Sequence, residues 1–520
     1  MSNKTTEMRY FTIDSGAEDT EVSFVAANTP VLGEDFILDI VTNNAAEIAA
    51  ADIEVKVLSF FTSYWRDVEV VPAPGFKLDG EAVYNSIRDT LTFRIVKDEV
   101  AAVAEDGDKI ASIITKVPAD TPENLEVTHR ISKGSITYLS GATDTVAAFS
   151  GKLVSTCEAP LVISIDTMLV GTAGGNIYVT DNDGNAVEGA EVYTGETLLG
   201  TTDAEGKLFT DAFVDAVKEF TLTASKTEGE KVLRSFTFKS QSYESKGDVT
   251  GLPSYIKLNA AEPPWNSQSV SWMSNPLYTE GKAIVRYAEK TEYEANGAET
   301  VFSEFEGVSY LSELNSTGIA VTNYAIRMNS AEITGLNENT EYVFMVGDGT
   351  IWSEIKTFTT GKDNTATEFF IFADIQTTTT DDVDIVNAQL GNTGIDFDFG
   401  LHTGDIVDNA GDYAYWEAAG TAFSTGVLGS TDIFHVLGNH EYTGDYYGVN
   451  ATHYYDLPGS HDTAPEAYSV KVGNIYIASF GFLDMSGYKS AIEWLREDIA
   501  GSDATWKVLT VHQPPYYTNP

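Results

Sequence analysis

The chain has 520 residues, 31 Lys+Arg against 78 Asp+Glu, a formal net charge of −47 and 42% hydrophobic residues. So acidic a surface repels nucleic acid duplexes and anionic lipid over about 8 Å at physiological salt, and an anionic ligand needs a local cation to receive it. No run of about 18 apolar residues occurs, so no helical membrane span is expected, and one cysteine, Cys157, allows no internal disulfide framework.

At roughly 100–200 residues per domain, this length predicts about three to five domains. The first 360 or so residues read as all-β. Alternating segments such as "EVSFVAA", "DFILDIV", "DTLTFRIV" and "KIASIITKV" recur between Gly, Asn, Asp and Pro clusters. Breaks in the pattern divide this part into three sandwich modules, at 1–165, 166–260 and 261–362. Cys157, in "STCEAP", has no basic neighbour and reads as a buried apolar thiol. "DNDGN" at 181–185 begins like a calcium loop, but its twelfth position is Val192 rather than a glutamate, so a hairpin turn is the better reading.

In the first module, "GEDFILDIVTNNAAEIAAADIEVKV" resembles cohesin-type or carbohydrate-binding-type sandwiches, which implies a cell-surface or carbohydrate partner. The second, through "GNIYVTDNDGNAVEGAEVYTGETLLGTTDAEGKLFT", resembles small prealbumin-like sandwiches. The third, through "SVSWMSNP", "KAIVRYAEK" and "ITGLNENTEYVFMVGDGTIWSEIKTFTT", resembles the fibronectin-like domain that precedes the catalytic domain of purple acid phosphatases. In that resemblance Tyr342 is a corner tyrosine pinning a loop to a strand. Trp272 and Trp352 read as core or interdomain residues.

Beyond residue 362 the grammar changes. The apolar runs "TEFFIFADIQ", "FDFGLHTGDIVD", "DIFHVLGNHE" and "WKVLTVHQPP" alternate with the helical patterns "TDDVDIVNAQLG", "GDYAYWEAAGTAF" and "KSAIEWLREDIA". Buried strands alternating with helices predict an α/β domain over 363–520.

In such domains, function gathers on the loops beyond the C-terminal ends of strands. Each apolar run ends in a candidate ligand: Asp374 and Gln376, Asp405 and Asp408, Asn439 and His440, and His512. One such ending is an ordinary turn; four in order are a strong signal. Carboxylate, amide oxygen and imidazole together suit Mn, Fe or Zn, and two ions about 3.5–4 Å apart clamp a phosphoryl group. Glycine before Asp405 and before Asn439 lets the backbone turn close to the ions.

The order D-x-Q, GD, GNHE and a later strand-end His resembles the calcineurin-like metallophosphoesterases. With the fibronectin-like module in front, it looks most like a purple-acid-phosphatase-type member. The resemblance implies an α-β-β-α layered fold and a dinuclear centre hydrolysing a phosphorylated small molecule or nucleotide. Asp374 and Gln376 would bind one metal, Asp405 would bridge both, and Asn439 and His512 would bind the other. His440 would contact phosphate and assist the leaving group. Asp408 and His402 are candidates for supporting roles behind the ligands.

The sequence departs from the family pattern in three places. Gln376 stands where many members have His. Asp408 stands where purple acid phosphatases carry a tyrosine, so their colour is not expected. No G-H-x-H motif follows His512, so the α/β domain is expected to be partial and about two ligands short, and an inactive truncated chain is one of the two outcomes expected. The alternative is a catalytically incomplete surface-binding or adhesion protein. Tandem sandwiches, acidity and family habit point to a secreted or cell-surface setting, although "MSNKTTEMRYF" has no apolar signal-peptide core. His435 reads as buried and structural, His453 and His461 as loop residues, and Tyr516 and Tyr517 as residues able to reach the cleft. Glu441 reads as orienting its loop.

Overall fold

A computed structural model describes residues 21–513 except 59–67, 86, 99–107, 147–151, 280, 316–322, 363–366, 377, 446, 459, 462–463 and 482–484. Tyr516 and Tyr517 lie outside the described residues. The chain divides into two compact units: 1–166 with 174–212 and 219–240, and 167–173 with 213–218 and 241–520.

In the first unit, period-two alternation sets the buried faces. Phe36, Leu38, Ile40 and Thr42 point inward from the strand Asp35–Thr42. That strand lies between Val22–Ala26 and Lys109–Lys116 in one antiparallel sheet. A second antiparallel sheet centres on Ile48–Leu58, flanked by Thr90–Lys97 and Glu126–Tyr138. One apolar core joins them, with Phe24, Phe36 and Ile113 against Ile53, Val55 and Ile131, so this part is a β-sandwich. Cys157 is buried and unpaired. "DNDGN" forms a turn in which Asp181 Oδ1 accepts the N–H groups of Asp183 and Asn185.

The second unit begins with another sandwich. Val270, Trp272, Ile256 and Leu258 from one sheet meet Val285, Phe344 and Phe358 from the other. Tyr342 is buried and its hydroxyl accepts the N–H of Asn337 at 2.9 Å, which pins the corner. Trp272 is a core residue, and Trp352 carries the Arg286 guanidinium 3.9 Å above its ring.

The strand Ser267–Ser274 is buried at all its positions despite four serines. Its apolar face supplies Val270 and Trp272 to the sandwich. Its other face turns to the α/β region, where Ser271 Oγ donates to the Tyr454 carbonyl at 2.8 Å and Ser269 Oγ to Asp456 Oδ2 at 2.6 Å. Buried hydroxyls of this kind require such partners. The neighbouring strand Ser254–Asn259 follows the same alternation and sends Lys257 and Asn259 toward the α/β region.

Asn259 pairs in parallel with Ile433, so the sandwich sheet runs on into the parallel strands Ile433–His435, Phe399–His402 and Phe369–Phe372. A second sheet contains Ala464–Val472, Ile475–Phe480 and Trp506–Val511. Phe399, Leu401 and Phe434 pack against Tyr468, Val470 and Ile477 between the two sheets. The helices Asp381–Thr393 and Tyr413–Phe423 cover the first sheet through Val383, Trp416 and Phe423. The helix Met485–Gly501 covers the second through Trp494, Leu495 and Ile499. His453 lies on the helix Val449–Tyr455 rather than in a loop, stacked on Tyr310 at 4.2 Å. Among the described residues no helix is long and apolar enough to cross a membrane.

Candidate metal centre

The parallel strands deliver their polar residues to one edge. Beyond the strand ends the ladder continues: Thr403 N donates to Phe372 O, Asp374 N to Gly404 O and Val436 N to His402 O. This brings the loops after Phe372, His402 and His435 side by side. Asp374, Gln376 and Asp405 all adopt left-handed backbone, with φ of +56°, +47° and +60°. Each such non-glycine residue costs roughly 1–3 kcal/mol and persists only where its surroundings hold it. Three of them converge here.

The ligand atoms of Asp374, Asp405 and His512 lie within 4.8 Å of one another. Asp405 is buried. Its Oδ2 lies 3.2 Å from His512 Nε2 and accepts Gln376 Nε2 at 2.9 Å, while its Oδ1 accepts the His440 backbone N–H at 3.0 Å. His512 Nδ1 lies 3.0 Å from the Thr403 carbonyl. A carbonyl only accepts, so Nδ1 carries the proton and Nε2 keeps its lone pair toward the cluster. Gln376 presents its amide nitrogen, rather than its oxygen, to Asp405; the assignment turns by rotating the amide.

The donor set fits a divalent metal. Two carboxylates converge with one imidazole lone pair, and among the described residues the ion-pair partners of Asp405 are histidines alone. Hard oxygens with one imidazole suit Mn, Fe or Zn.

Two further features hold the floor. Gly438 leaves room for Asp405: a Cβ there would collide with Asp405 Oδ1 and stand 2.8 Å from its backbone nitrogen. Glu441, fully buried, accepts Asp405 N at 2.9 Å, Ile406 N at 2.9 Å and Gly438 N at 2.7 Å. It thus ties the GD loop to the GNHE loop, a more specific role than orienting its own loop. Burial raises its pKa, and the N–H groups only partly offset this.

Asn439 opens the short turn His440–Tyr442 and is half-buried. His440 is also half-buried. Its Nδ1 lies 2.8 Å from the Asp408 carbonyl and 3.0 Å from Asp408 Oδ1, and its Nε2 lies 3.8 Å from Asp405 Oδ2. Partial desolvation lowers the His440 pKa, but the Asp408 carbonyl and the charges of Asp405, Asp408 and Glu441 together raise it above the ordinary value. Asp408 is exposed and accepts the Tyr415 hydroxyl at 3.2 Å. His402 is buried behind the floor, its Nδ1 3.2 Å from His435 Nδ1, and desolvation drives its pKa down to about 3. Lys257, which sequence reasoning passed over, contacts His435 from the sandwich side.

Residues 253–360 match the purple acid phosphatase N-terminal domain, and residues 323–520 match the calcineurin-like phosphoesterase family. No curated protein matches the chain. Among solved structures, PhoD is 11% identical with a TM-score of 0.34, over 51% of this chain and 63% of that one. The chain therefore spans less than two thirds of PhoD. The cohesin–dockerin complex Coh-OlpA-Doc918 from Clostridium thermocellum matches at 10% identity and TM-score 0.20, over 26% of this chain and 99% of that one. A type II cohesin domain from the Acetivibrio cellulolyticus cellulosome matches at 13% and 0.19, over 26% and 94%.

Proposed function

This chain carries a purple acid phosphatase N-terminal domain joined to a calcineurin-like metallophosphoesterase domain, and from that premise we propose that it hydrolyses phosphate esters at a dinuclear metal centre. The observation that carries the reading is the convergence of Asp374, Asp405 and His512 within 4.8 Å, beyond the C-terminal ends of Phe369–Phe372 and Phe399–His402 in one sheet and of Trp506–Val511 in the other. In this reading Asp374 and Gln376 would hold one metal, Asn439 and His512 the other, and Asp405 would serve both. Bound Mn, Fe or Zn supplies the positive charge that receives an anionic phosphate ester and activates water.

The chain's own residues do the rest. His512 is oriented by the Thr403 carbonyl. Asp405 is oriented by the backbone N–H of His440. His440 directs Nε2 toward the cluster while Asp408 holds Nδ1. A protonated His440 then donates from Nε2 to the departing ester oxygen as a general acid, and the upward shift of its pKa favours that protonated form.

The substrate class is a phosphorylated small molecule or nucleotide; a net charge of −47 disfavours a nucleic acid duplex. We further propose the four-module division at 165, 260 and 362, a secreted or cell-surface setting, and a carbohydrate or cell-surface partner for the first module.

The test is a chelator-stripped preparation reconstituted with Mn, Fe or Zn and assayed on p-nitrophenyl phosphate, bis-p-nitrophenyl phosphate and a nucleotide pyrophosphate. Metal-dependent turnover that disappears in Asp405→Asn is expected, and the preferred ester defines the specificity. A protein that neither binds metal by calorimetry nor hydrolyses any of the three would sink the reading and favour a binding protein.

A further inference from the structure

Lys257 is 1% exposed, yet its neighbours are neutral: Asn259 Oδ1, His435 Nε2 at 3.2 Å, and the rings of Tyr454 and Tyr455. Burial drives its amine pKa well below the ordinary value, and the charge of Asp456 only partly offsets this. A buried amine costs stability that an apolar side chain at the same strand position would not, so its presence calls for a role.

We propose that Lys257 is a positioning residue for the metal centre, fixing the tautomers of His435 and His402 from the sandwich side and so bracing the loop that carries Asp405 and the Thr403 carbonyl that orients His512. The bracing role rests on the phosphoesterase reading above; the tautomer assignment does not.

The assignment follows from counting protons along the chain of contacts. Asn259 donates from Nδ2 to Ser269 and Ser271, so its oxygen faces the lysine and accepts one Nζ hydrogen. A second Nζ hydrogen is available to His435 Nε2; a neutral amine could equally accept there, so the direction of this contact is set from the other end of the chain, at His402. His435 then carries its proton on Nδ1 and donates to His402 Nδ1 at 3.2 Å. His402 in turn carries its proton on Nε2. That atom is buried with no hydrogen bond of ordinary geometry among the described residues, the Gly404 backbone acts on the ring in the sense that favours an N–H, and the ring is surrounded by Phe372, Phe423 and Tyr455. An N–H tolerates aromatic faces, whereas a lone pair is repelled by their negative charge.

Both histidines back the site. His402 immediately precedes Thr403, whose carbonyl holds His512, and Gly404, whose carbonyl accepts Asp374 N. His435 stacks on Tyr455 at 4.0 Å and 5°. The Tyr455 hydroxyl lies 3.4 Å from Glu441 Oε1, and Glu441 binds Asp405 and Gly438. The sandwich is therefore part of the metal centre's support rather than a spacer.

The first experiment is a long-range proton–nitrogen NMR spectrum of the metal-free full chain, with the rings assigned by His402→Gln and His435→Gln. Protons on Nδ1 of His435 and Nε2 of His402 are expected; the reverse pair, or a mixture, overturns the proposal. The second is Lys257→Met, with folding checked by circular dichroism and manganese affinity by calorimetry. A folded variant should bind manganese about tenfold more weakly, the scale of losing a supporting contact behind a ligand, and should lose kcat at unchanged KM. A folded variant with wild-type affinity and kcat overturns the proposal. Should Lys257→Met not fold, the wild-type ring spectra decide alone. Failure of the wild type to hydrolyse esters counts against the phosphoesterase reading and leaves the tautomer result standing.

Discussion

Asp405 Oδ2 lies 3.2 Å from His512 Nε2, with the imidazole's other nitrogen tied to the Thr403 carbonyl. The pair is thus presented as a carboxylate beside an imidazole lone pair, an arrangement completed by a cation. Metal that binds the folded state alone stabilises it by about 2.7 kcal/mol at a hundredfold excess over Kd. The wild type should therefore gain melting temperature when manganese is added after chelation. Asp405→Asn keeps the shape but removes the carboxylate charge, so its manganese-dependent gain should vanish. A gain of wild-type size in that variant, read by differential scanning calorimetry, would remove Asp405 from the centre.

Glu441 gives a sharper test of how the floor is held. Its carboxylate accepts three backbone N–H groups from two loops. In Glu441→Gln one oxygen becomes an NH2 group, which faces donors and leaves at least one buried N–H without a partner. That costs roughly 1–3 kcal/mol. The glutamine oxygen keeps Asp405 N and Gly438 N, and the NH2 group faces Ile406 N, so the melting temperature should fall, and manganese affinity should fall with it because the loop beside Asp405 is loosened at Ile406. Tyr455→Phe removes only the 3.4 Å contact to Glu441 and should cost about 1 kcal/mol or less. Equal losses in the two variants would refute the stitching role.

Much of this was legible in the sequence because the signals were local. Asp374, Asp405, Asn439, His440 and His512 each follow an apolar run, and period-two alternation marked the sandwich strands. The support behind the site was not legible. Lys257, in "SYIKLN", has the alternation of a half-exposed strand, so sequence alone places it toward solvent. It is buried because the α/β region covers that face, a tertiary fact with no local signature. The buried serines of "SQSVSWMS" are of the same kind: their hydroxyls meet Tyr454 and Asp456, far along the chain. Glu441 was visible as a residue of GNHE, but its partners lie in another loop.

On the proposed reading, His440 carries the pH dependence. Its pKa is raised despite partial burial, through the Asp408 carbonyl and the charges of Asp405, Asp408 and Glu441. A histidine with a raised folded-state pKa adds stability that is fully present below its unfolded pKa of about 6.5. That stability is lost as pH rises through the higher folded value. In chelated protein, NMR titration of the His440 ring should give a midpoint above about 6.5. Asp408→Asn removes one of these charges and should lower the midpoint, with the alkaline limb of the rate profile moving the same way. An unchanged midpoint in Asp408→Asn would sever the pair.

Cys157 reports on the first unit. Burial, with a smaller contribution from the Glu158 charge, pushes its thiol up to about 12. Only thiolate reacts, so a maleimide or disulfide reagent at about pH 8 should label the native chain far more slowly than the denatured one. The sign of the linkage follows. The unfolded thiol loses its proton above about 8.5 while the folded thiol keeps it. Unfolding is thus favoured as pH rises from there toward the folded value. Cys157→Ala removes this term, and the variant should lose less stability than the wild type over that alkaline range. Denaturant unfolding at neutral and alkaline pH measures the difference; equal alkaline losses in both proteins would show that the thiol is not held in its neutral form.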